Sequence, residues 1–373
     1  MAGDNDVTRP TGQRIRALVI NFSCYFLYPG DLDTATGGYH YDRRLIAGLR
    51  RLGLEVTTIS LAATFPRPDP PTLEATARVL ATLPDGATVV IDGLAFGVMD
   101  RLAAAEAKRL RLVALCHHPL ALESGLDASQ QRDFMHSEQS ALSHTRAVVV
   151  TSEHTRQLFI SRFGVSAQHI TVALPGTERM PFAACDGNPL RLLTVATLTR
   201  RKAHDVLIEA LATLTALPWQ ARFVGGSEFD PGWAAFLEQR VRELHLSERI
   251  DFVGSSDSLP SEYANADLFV LPSRFEGYGM VFAEALAAGL PVIAARAGAV
   301  PDLVPDTAGL LVAPDDTGAL REALQQLLTD ATLRHKLQAG ARAAAAALPD
   351  WDDCARRVLQ LLEQVQRLEQ EQC

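Results

Sequence analysis

The stretch from Leu268 to Ala295, LFVLPSRFEGYGMVFAEALAAGLPVIAA, constrains the fold of this chain most strongly. Two short apolar runs within it, 268–271 and 291–295, predict strands that are buried on both faces of a parallel sheet. The segment between them, 280–289, carries Glu284 as its only ionisable side chain. A helix that is apolar all round is a buried helix. The stretch therefore predicts a strand, a loop, a buried helix and a second strand.

Two carboxylates interrupt this apolar framework. Burying Glu284 is costly unless hydrogen-bond donors satisfy its carboxylate. Glu276 precedes a glycine-rich loop, whose backbone N–H groups can approach a ligand at the positive N-terminus of the helix. We therefore predict an anion site beside a carboxylate. The alternative without a function is that Glu284 is a buried structural residue and Glu276 a solvated loop residue. The predicted amide donors are Gly277, Tyr278, Gly279, Met280 and Val281.

The rest of the chain alternates apolar runs with longer amphipathic stretches, which is typical of doubly wound α/β domains. A length of 373 residues suits two domains. The predicted strands are 15–22, 54–60, 87–91, 111–116, 146–151 and 169–173, then 190–196, 221–224, 250–253, 268–271, 291–295 and 309–312. The predicted units are a disordered tail (1–14), a first Rossmann-like domain (15–180), a second one (181–350) and a final helix (351–373). A segment rich in Pro, Gly and Asp, 176–189, is the predicted linker.

Composition excludes several classes of protein. A net charge of −9 argues against a general nucleic-acid binder. Basic groups within 43–51 and 101–111 favour solvated helix faces over weak peripheral contact with an anionic membrane. Five cysteines without CxxC spacing indicate neither a disulfide framework nor a zinc ribbon. No apolar run approaches the roughly 18 residues of a membrane span. We therefore expect a cytoplasmic protein.

The spacing of Glu276 and Glu284 within PSRFEGYGMVFAEALAAGLPVIA resembles the signature of the retaining glycosyltransferases of the GT-B fold, family 4. The resemblance implies two Rossmann-like, doubly wound parallel-sheet domains that face each other across a cleft. It also implies a C-terminal helix that crosses back to the first domain. In this family the first glutamate lies against the donor sugar and the second binds the ribose hydroxyls of the nucleotide. The loop amides would then meet the diphosphate.

Further positions follow from the same resemblance. Arg201 and Lys202 would clamp the diphosphate, and Lys202 is one of only three lysines in the chain. Many family members carry another arginine where this chain has Thr197, so fewer charges would neutralise the phosphates here. A solvated pair at a helix start is the alternative for the two cations. The backbone near Val253 would meet the base. The pair Gly37 and Gly38 resembles the glycine loop that faces the diphosphate and the acceptor, although a plain turn explains it nearly as well.

Three residues at the C-terminal end of the fourth predicted strand, Cys116, His117 and His118, lie where open α/β sheets bind ligands. Neighbouring residues in an extended chain point in opposite directions, so the trio is a poor metal chelate. The resemblance assigns contact with the donor sugar to His117. His118 is the competing choice, and a purely structural histidine stays open.

The D-x-D sequence formed by Asp31 and Asp33 matches that of metal-dependent glycosyltransferases. It lies in a loop close to the N-terminus, whereas a metal-binding D-x-D follows a strand deep inside a single-domain fold. A solvated acidic loop is therefore favoured, and we expect neither a metal nor another cofactor.

The sequence thus predicts transfer of a hexose from a UDP- or GDP-sugar to an acceptor hydroxyl, with the anomeric configuration kept. The acceptor would be a carbohydrate, a lipid-linked sugar or a small molecule, in cell-surface glycan, glycolipid or specialised-metabolite biosynthesis. Two alternatives remain open. One is a nucleotide-sugar epimerase of the same fold. The other is a non-catalytic, two-lobed sugar-binding protein, which would need no diphosphate clamp.

Overall fold

The computed structural model describes residues 22–123, 125–256 and 258–370, apart from the side chains of 368–370, and these residues form two parallel six-stranded sheets flanked by helices. The first sheet contains β1 (Ser23–Pro29), β2 (Glu55–Leu61), β3 (Thr88–Asp92), β4 (Arg111–Cys116), β5 (Ala147–Val150) and β6 (Ile170–Val172). The second contains β7 (Leu190–Val195), β8 (Trp219–Val224), β9 (Ile250–Gly254), β10 (Leu268–Leu271), β11 (Val292–Ala295) and β12 (Gly309–Val312).

Helices fill most of the connections between strands. In the first half they are α1 (Gly37–Arg51), α2 (Pro70–Ala81), α3 (Gly93–Phe96), α4 (Asp100–Glu106), α5 (Ala128–Leu142) and α6 (Glu153–Phe163). In the second half they are α7 (His204–Ala212), α8 (Pro231–Glu243), α9 (Leu259–Ala264), α10 (Met280–Ala287), α11 (Val300–Leu303), α12 (Thr317–Thr329), α13 (Ala331–Ala345) and α14 (Trp351–Gln370). Short 3-10 turns occur at Leu120–Leu122, Ala167–His169 and Arg200–Lys202. The predicted α/β architecture is confirmed.

The strand order fixes where a ligand can bind. It is β2-β1-β3-β4-β5-β6 in the first sheet and β12-β11-β10-β7-β8-β9 in the second. The connections therefore change direction between β1 and β3 in one sheet and between β7 and β10 in the other. Open α/β sheets bind ligands beyond the carboxyl ends of the strands at this switch point. The loops after β1, β3, β7 and β10 are therefore the first candidates.

The stretch from Leu268 to Ala295 folds as predicted, into a strand, a loop, a buried helix and a second strand. All four residues of β10 are 0% exposed, which a strand with helices on both faces requires. The helix that follows, α10, buries Phe282 and Leu286 against this sheet. Gly289, with φ +72°, ends it in the left-handed conformation that glycine tolerates.

One prediction in the first domain was wrong. The segment after residue 22, which lies outside the predicted strands 15–22 and 54–60, forms β1 between β2 and β3. Its aromatic side chains favour a strand, and Cys24, Phe26 and Leu27 are all 0% exposed. The strand predicted at 15–22 lies outside the described residues except for Phe22, as does the predicted tail 1–14.

Helix α1 begins at Gly37, where the Thr36 side chain accepts a hydrogen bond from the Tyr39 amide. Its apolar face contains Tyr41, Leu45 and Leu49, which recur at the four-residue spacing of one helix face. This face packs in one cluster with α14 and the first sheet. Asp42, the next residue after Tyr41, is also 0% exposed.

The chain crosses between the two sheets twice, and the crossings run side by side. Residues 173–189 contain neither helix nor strand, and the predicted linker 176–189 lies among them. The Thr177 amide donates to the Pro349 carbonyl over 2.9 Å. After this contact α14 runs along the first sheet and buries Trp351, Val358 and Leu362 there. The last helix thus crosses back to the first domain, as predicted.

The basic residues of α1 bond within the protein. Arg44 pairs with Glu178 at 2.7 Å and Arg51 with Asp352 at 2.6 Å, while Arg50 donates to the Val56 carbonyl. These bonds join α1 to the interdomain crossing and to α14. Among helices built from the described residues, none combines the length and the apolar character that crossing a membrane would require.

Candidate active site

The second sheet brings two distant loops together at its switch point. The loop after β7 forms the 3-10 turn with Arg201 and Lys202, and the loop after β10 carries Glu276. Because β7 and β10 are neighbouring parallel strands, both loops leave the same edge. The Arg274 amide donates to the Arg201 carbonyl over 2.8 Å and fastens one loop to the other. Residues 74 positions apart in sequence thereby become neighbours.

The centre of the site is a buried ion pair. Lys202 Nζ lies 2.7 Å from Glu276 Oε1, and Arg201 Nη1 lies 3.5 Å from Oε2. Glu276 is only 5% exposed. Burial by itself would raise the pKa of Glu276, but Lys202 and Arg201 hold it below its usual value. Burial in turn lowers the pKa of Lys202, although Glu276 opposes this shift. The carboxylate therefore stays ionised, held between two cationic side chains.

The glycine loop then turns into α10. Gly279 has φ +90°, a conformation that side chains other than glycine adopt only with strain. Among the described residues no side chain caps this helix, so its first amides are open to an anion. Gly277 packs against the first domain, where an added Cβ would lie 2.1 Å from the His117 carbonyl oxygen. The two glycines therefore permit, respectively, the turn and the close approach of the two domains.

Glu284 lies one turn into α10 and is partly exposed. The hydroxyl of Tyr263 donates to its Oε2 over 2.7 Å. Burial raises the pKa of Glu284 to about 7, and the hydrogen bond from Tyr263 opposes this rise. Tyr263 is thus the side-chain donor that the described residues supply to this carboxylate, and the pKa of Glu284 lies near neutral pH.

His117 lies at the facing edge of the first sheet, between two buried carboxylates. Its Nε2 is 3.0 Å from Asp42 Oδ1 and 3.5 Å from Asp92 Oδ2. Burial by itself would lower the pKa of His117, but Asp42 and Asp92 raise it above its usual value. Burial and the neighbouring Asp42 raise the pKa of Asp92 to about 7. Gly38 of α1 packs beside the ring. Nε2 is therefore held by carboxylates of the first domain.

These three residues are also the one group of metal-ligand type in the described part of the chain, with ligand atoms within 4.8 Å of one another. A proton on Nε2 suits the 3.0 Å contact with Asp42 as an ordinary hydrogen bond. By contrast, Asp31 and Asp33 are exposed, and Asp31 Oδ1 accepts from the Asp33 amide in a local turn.

His118, the competing choice, lies at the contact between the domains. Its ring packs on Phe275 of the second domain with 4.6 Å between centroids, and burial lowers its pKa to about 4. Nearby, Thr155 Oγ1 donates to the Gly277 carbonyl over 3.1 Å, and Arg201 Nε lies 3.3 Å from Glu123 Oε1. Loops from both sheets therefore meet around the buried ion pair.

The remaining predicted residues occupy the same edges without joining the ion pair directly. Thr197 follows β7, and an added Cβ on Gly225 would lie 2.9 Å from its amide nitrogen. Val253 lies near the end of β9. Gly37 opens α1 on the first-domain side.

Sequence reasoning missed four residues that contact the predicted ones: Asp42, Asp92, Glu123 and Tyr263. Asp92 had a usable signal, because it ends the otherwise apolar strand TVVID at a ligand-binding edge. Asp42 and Tyr263 lie on short or mixed helical segments, where no pattern distinguishes a buried polar group from a solvated one.

Known protein families match successive parts of the chain. The family model for "Glycosyltransferase Family 4" matches residues 37–179, and that for "Glycosyl transferases group 1" matches residues 178–344. The lipopolysaccharide core biosynthesis mannosyltransferase LpsB of Rhizobium meliloti is 35% identical over 35% of this chain and 39% of its own length. A GDP-mannose-dependent alpha-(1-6)-phosphatidylinositol monomannoside mannosyltransferase of Mycobacterium tuberculosis is 30% identical over 58% of this chain. The latter match spans 62% of that relative.

Solved structures share the fold. Sucrose-phosphate synthase from Thermosynechococcus elongatus superposes with a TM-score of 0.76 at 23% identity, covering 92% of this chain and 99% of that one. Anabaena HepE, solved in complex with UDP-glucose, gives a TM-score of 0.72 at 19% identity, covering 91% and 99%. With two family models matched in succession on a two-sheet fold of this type, the chain belongs to the GT-B glycosyltransferases of family 4.

Proposed function

We propose that this protein transfers a hexose from a nucleotide diphosphate sugar to an acceptor hydroxyl and keeps the anomeric configuration. The observation that carries the proposal is the buried contact of Glu276 with Lys202 and Arg201 beside the open N-terminus of α10. This arrangement offers positive charge and free amides to a diphosphate, and a carboxylate to the sugar attached to it.

The departing diphosphate is stabilised by Arg201, Lys202 and the amides of 277–281. Arginine offers a planar fork and lysine a point charge, so the two cations complement each other on adjacent phosphates. Such donors are set before the reaction begins, and they act where negative charge develops. Thr197 adds no charge, so the helix N-terminus carries more of the stabilisation.

The sugar lies between the two sheets, against Glu276 from one side and His117 from the other. As the bond to the diphosphate breaks, the ring becomes cationic, and the ionised Glu276 stabilises it. A phosphate oxygen of the donor takes the acceptor proton on the face from which the diphosphate leaves, which accounts for retention. Gly37 and Gly38 border the acceptor side. The contacts that join the two domains around Gly277 support a closed cleft that excludes water.

The nucleotide binds along the second sheet. Glu284 accepts hydrogen bonds from the two vicinal ribose hydroxyls, and the backbone near Val253 meets the base. The Mycobacterium tuberculosis relative is named for GDP-mannose and the HepE structure contains UDP-glucose, so these two sugars are the first donors to test.

We also propose the acceptor class and the compartment. The named relatives act in lipopolysaccharide core biosynthesis or on a phosphatidylinositol mannoside, which favours a glycan or a lipid-linked sugar as acceptor. The four described cysteines are unpaired, which suits the reducing cytoplasm.

The two glutamates are predicted to separate kinetically. Glu276→Gln should lower kcat by about one to two decades, because a charge-assisted contact to the reacting sugar is worth roughly 1.5 to 3 kcal/mol. Glu284→Gln should instead raise the donor KM and the nucleotide diphosphate Kd by a similar factor, since ribose binding is the same before and during reaction. Steady-state kinetics and isothermal titration measure both.

The exposed Glu248→Gln is the matched control and should leave every constant unchanged. Melting temperatures show whether either buried substitution unfolds the protein. Reversed roles for the two residues, or no effect of either change, would contradict the assignment.

Catalysis is expected to need no divalent metal, because two cations and a helix N-terminus already face the diphosphate. Turnover of UDP-glucose or GDP-mannose should therefore be equal, within about a factor of two, with and without EDTA. Complete loss of turnover in EDTA, restored by Mg²⁺ or Mn²⁺, would contradict this expectation. It would turn attention to Asp42, Asp92 and His117 as metal ligands.

An α-linked donor should yield an α-linked product. Proton NMR recorded early in the reaction reads the anomeric coupling directly, before any slow equilibration. A β-linked product would place the chain in an inverting branch of the fold, and a nucleotide sugar altered without transfer would indicate an epimerase.

A further inference from the structure

The Tyr263 hydroxyl is buried and aimed at the candidate ribose site. Tyr263 lies in α9 and is 0% exposed. Its hydroxyl is 2.7 Å from Glu284 Oε2 and 3.3 Å from the Val281 carbonyl oxygen. A phenol has one proton to donate, and the shorter contact to a carboxylate is the stronger of the two. Both acceptors belong to α10, so the Tyr263 hydroxyl of α9 donates its hydrogen bond to α10.

This contact fixes the Glu284 carboxylate before any ligand arrives. A glutamate side chain has several rotatable bonds, and ordering it on binding weakens affinity by about two- to tenfold. Tyr263 cannot move easily, because its ring packs against Phe269 in the core of the second domain. With Oε2 held from within the protein, Oε1 is the atom left to a ligand in the cleft.

The same contact favours the ionised carboxylate. Burial raises the pKa of Glu284 to about 7, and the Tyr263 hydrogen bond pulls it down. The negative charge of Glu178, which is itself paired with Arg44, raises the pKa of Glu284 further. In the ionised form Oε1 has two lone pairs and no proton, so it can accept hydrogen bonds from two hydroxyls. Without the phenol, a larger fraction of Glu284 would be protonated at neutral pH.

We propose that Tyr263 is a positioning residue for nucleotide recognition: by holding Oε2 of Glu284 it presents an ordered, charged carboxylate to the 2′- and 3′-hydroxyls of the ribose. This inference rests on the proposed function, in which Glu284 binds the ribose. Tyr263 itself does not touch the nucleotide.

The test compares Tyr263→Phe with the unchanged protein, using UDP and GDP and their 2′,3′-dideoxy forms in isothermal titrations. For whichever ribonucleotide binds, Tyr263→Phe should raise Kd about five- to tenfold, because the Glu284 side chain must then be ordered and ionised as the ligand binds. Kd for the matching dideoxynucleotide should change by less than about twofold, because it has no ribose hydroxyls for Glu284 to accept. In a Glu284→Gln background, Tyr263→Phe should have little further effect on either ligand.

The pH dependence gives a second readout. Ribonucleotide binding should strengthen as pH rises through the Glu284 pKa, because the carboxylate is the binding form. Removing the phenol raises that pKa, so the midpoint of the Tyr263→Phe profile should shift to higher pH. Ionisation of the phosphates is common to both proteins and does not contribute to the difference.

The matched control is Tyr41→Phe, which removes another buried tyrosyl hydroxyl, one that donates to the Ala173 carbonyl in the first domain. It should leave nucleotide affinity unchanged. If Tyr263→Phe does not fold, 3-fluorotyrosine at position 263 replaces it. This stronger donor should shift the pH midpoint downward.

The possible results distinguish a failure of the role proposed for Tyr263 from a failure of the proposed function. If the unchanged protein binds no nucleotide diphosphate, the proposed function and this inference are overturned together. If Glu284→Gln loses the preference for ribose while Tyr263→Phe keeps it, only the inference fails. Equal weakening of ribo- and dideoxynucleotide binding by Tyr263→Phe would likewise overturn it, because the tyrosine would then merely support the fold.

Discussion

The ion pair between Lys202 and Glu276 is the interaction on which the arrangement of the site depends. Taking two charges out of water costs several kcal/mol per ion, and a buried pair of this kind often adds nothing to stability. Well-packed apolar residues would hold the two loops together at least as well. The pair is therefore better explained by the site it forms than by the fold. Its position beyond neighbouring strands at the switch point follows from the sheet order alone.

The two sheets present clusters of different character to one cleft. The second contributes two cations around one carboxylate, and the first contributes two buried carboxylates around His117. The close approach of Gly277 to the His117 carbonyl brings these clusters within one small volume. A donor whose diphosphate is anionic and whose sugar becomes cationic matches that division of charge. The glycines are what allow the two backbones to approach so closely.

Much of the fold could be predicted because buried strands leave a local signal. The run 268–271 is apolar throughout, and its four residues are buried on both faces. The segment SCYFLYP was not predicted as a strand. Its buried and partly exposed positions do not alternate regularly, so the two-residue period of a half-buried strand is missing. Apolar runs thus located every strand of the second sheet, and every strand of the first except β1, to within about two residues.

The site was less accessible to sequence reasoning. Glu276 was singled out by the stretch in which it lies, whereas Arg201 and Lys202 were related to it only through the resemblance to a family, since no local pattern relates residues 74 positions apart. The contacts of His117 with Asp42 and of Glu284 with Tyr263 depend on which helix packs against which strand. Such partners become visible only when the elements are assembled. Asp92 is the exception, because an acid at the end of an apolar strand already points to a ligand edge.

The most direct test of the central claim is whether the site recognises a diphosphate. Isothermal titration of UDP, GDP, ADP and dTDP, each beside its monophosphate, measures this without knowledge of the acceptor. The account predicts that at least one diphosphate binds and that its monophosphate binds about tenfold more weakly or worse, because the second phosphate meets Arg201, Lys202 and the α10 amides. Equal affinity for the two forms, or no binding of any nucleotide diphosphate, would contradict it.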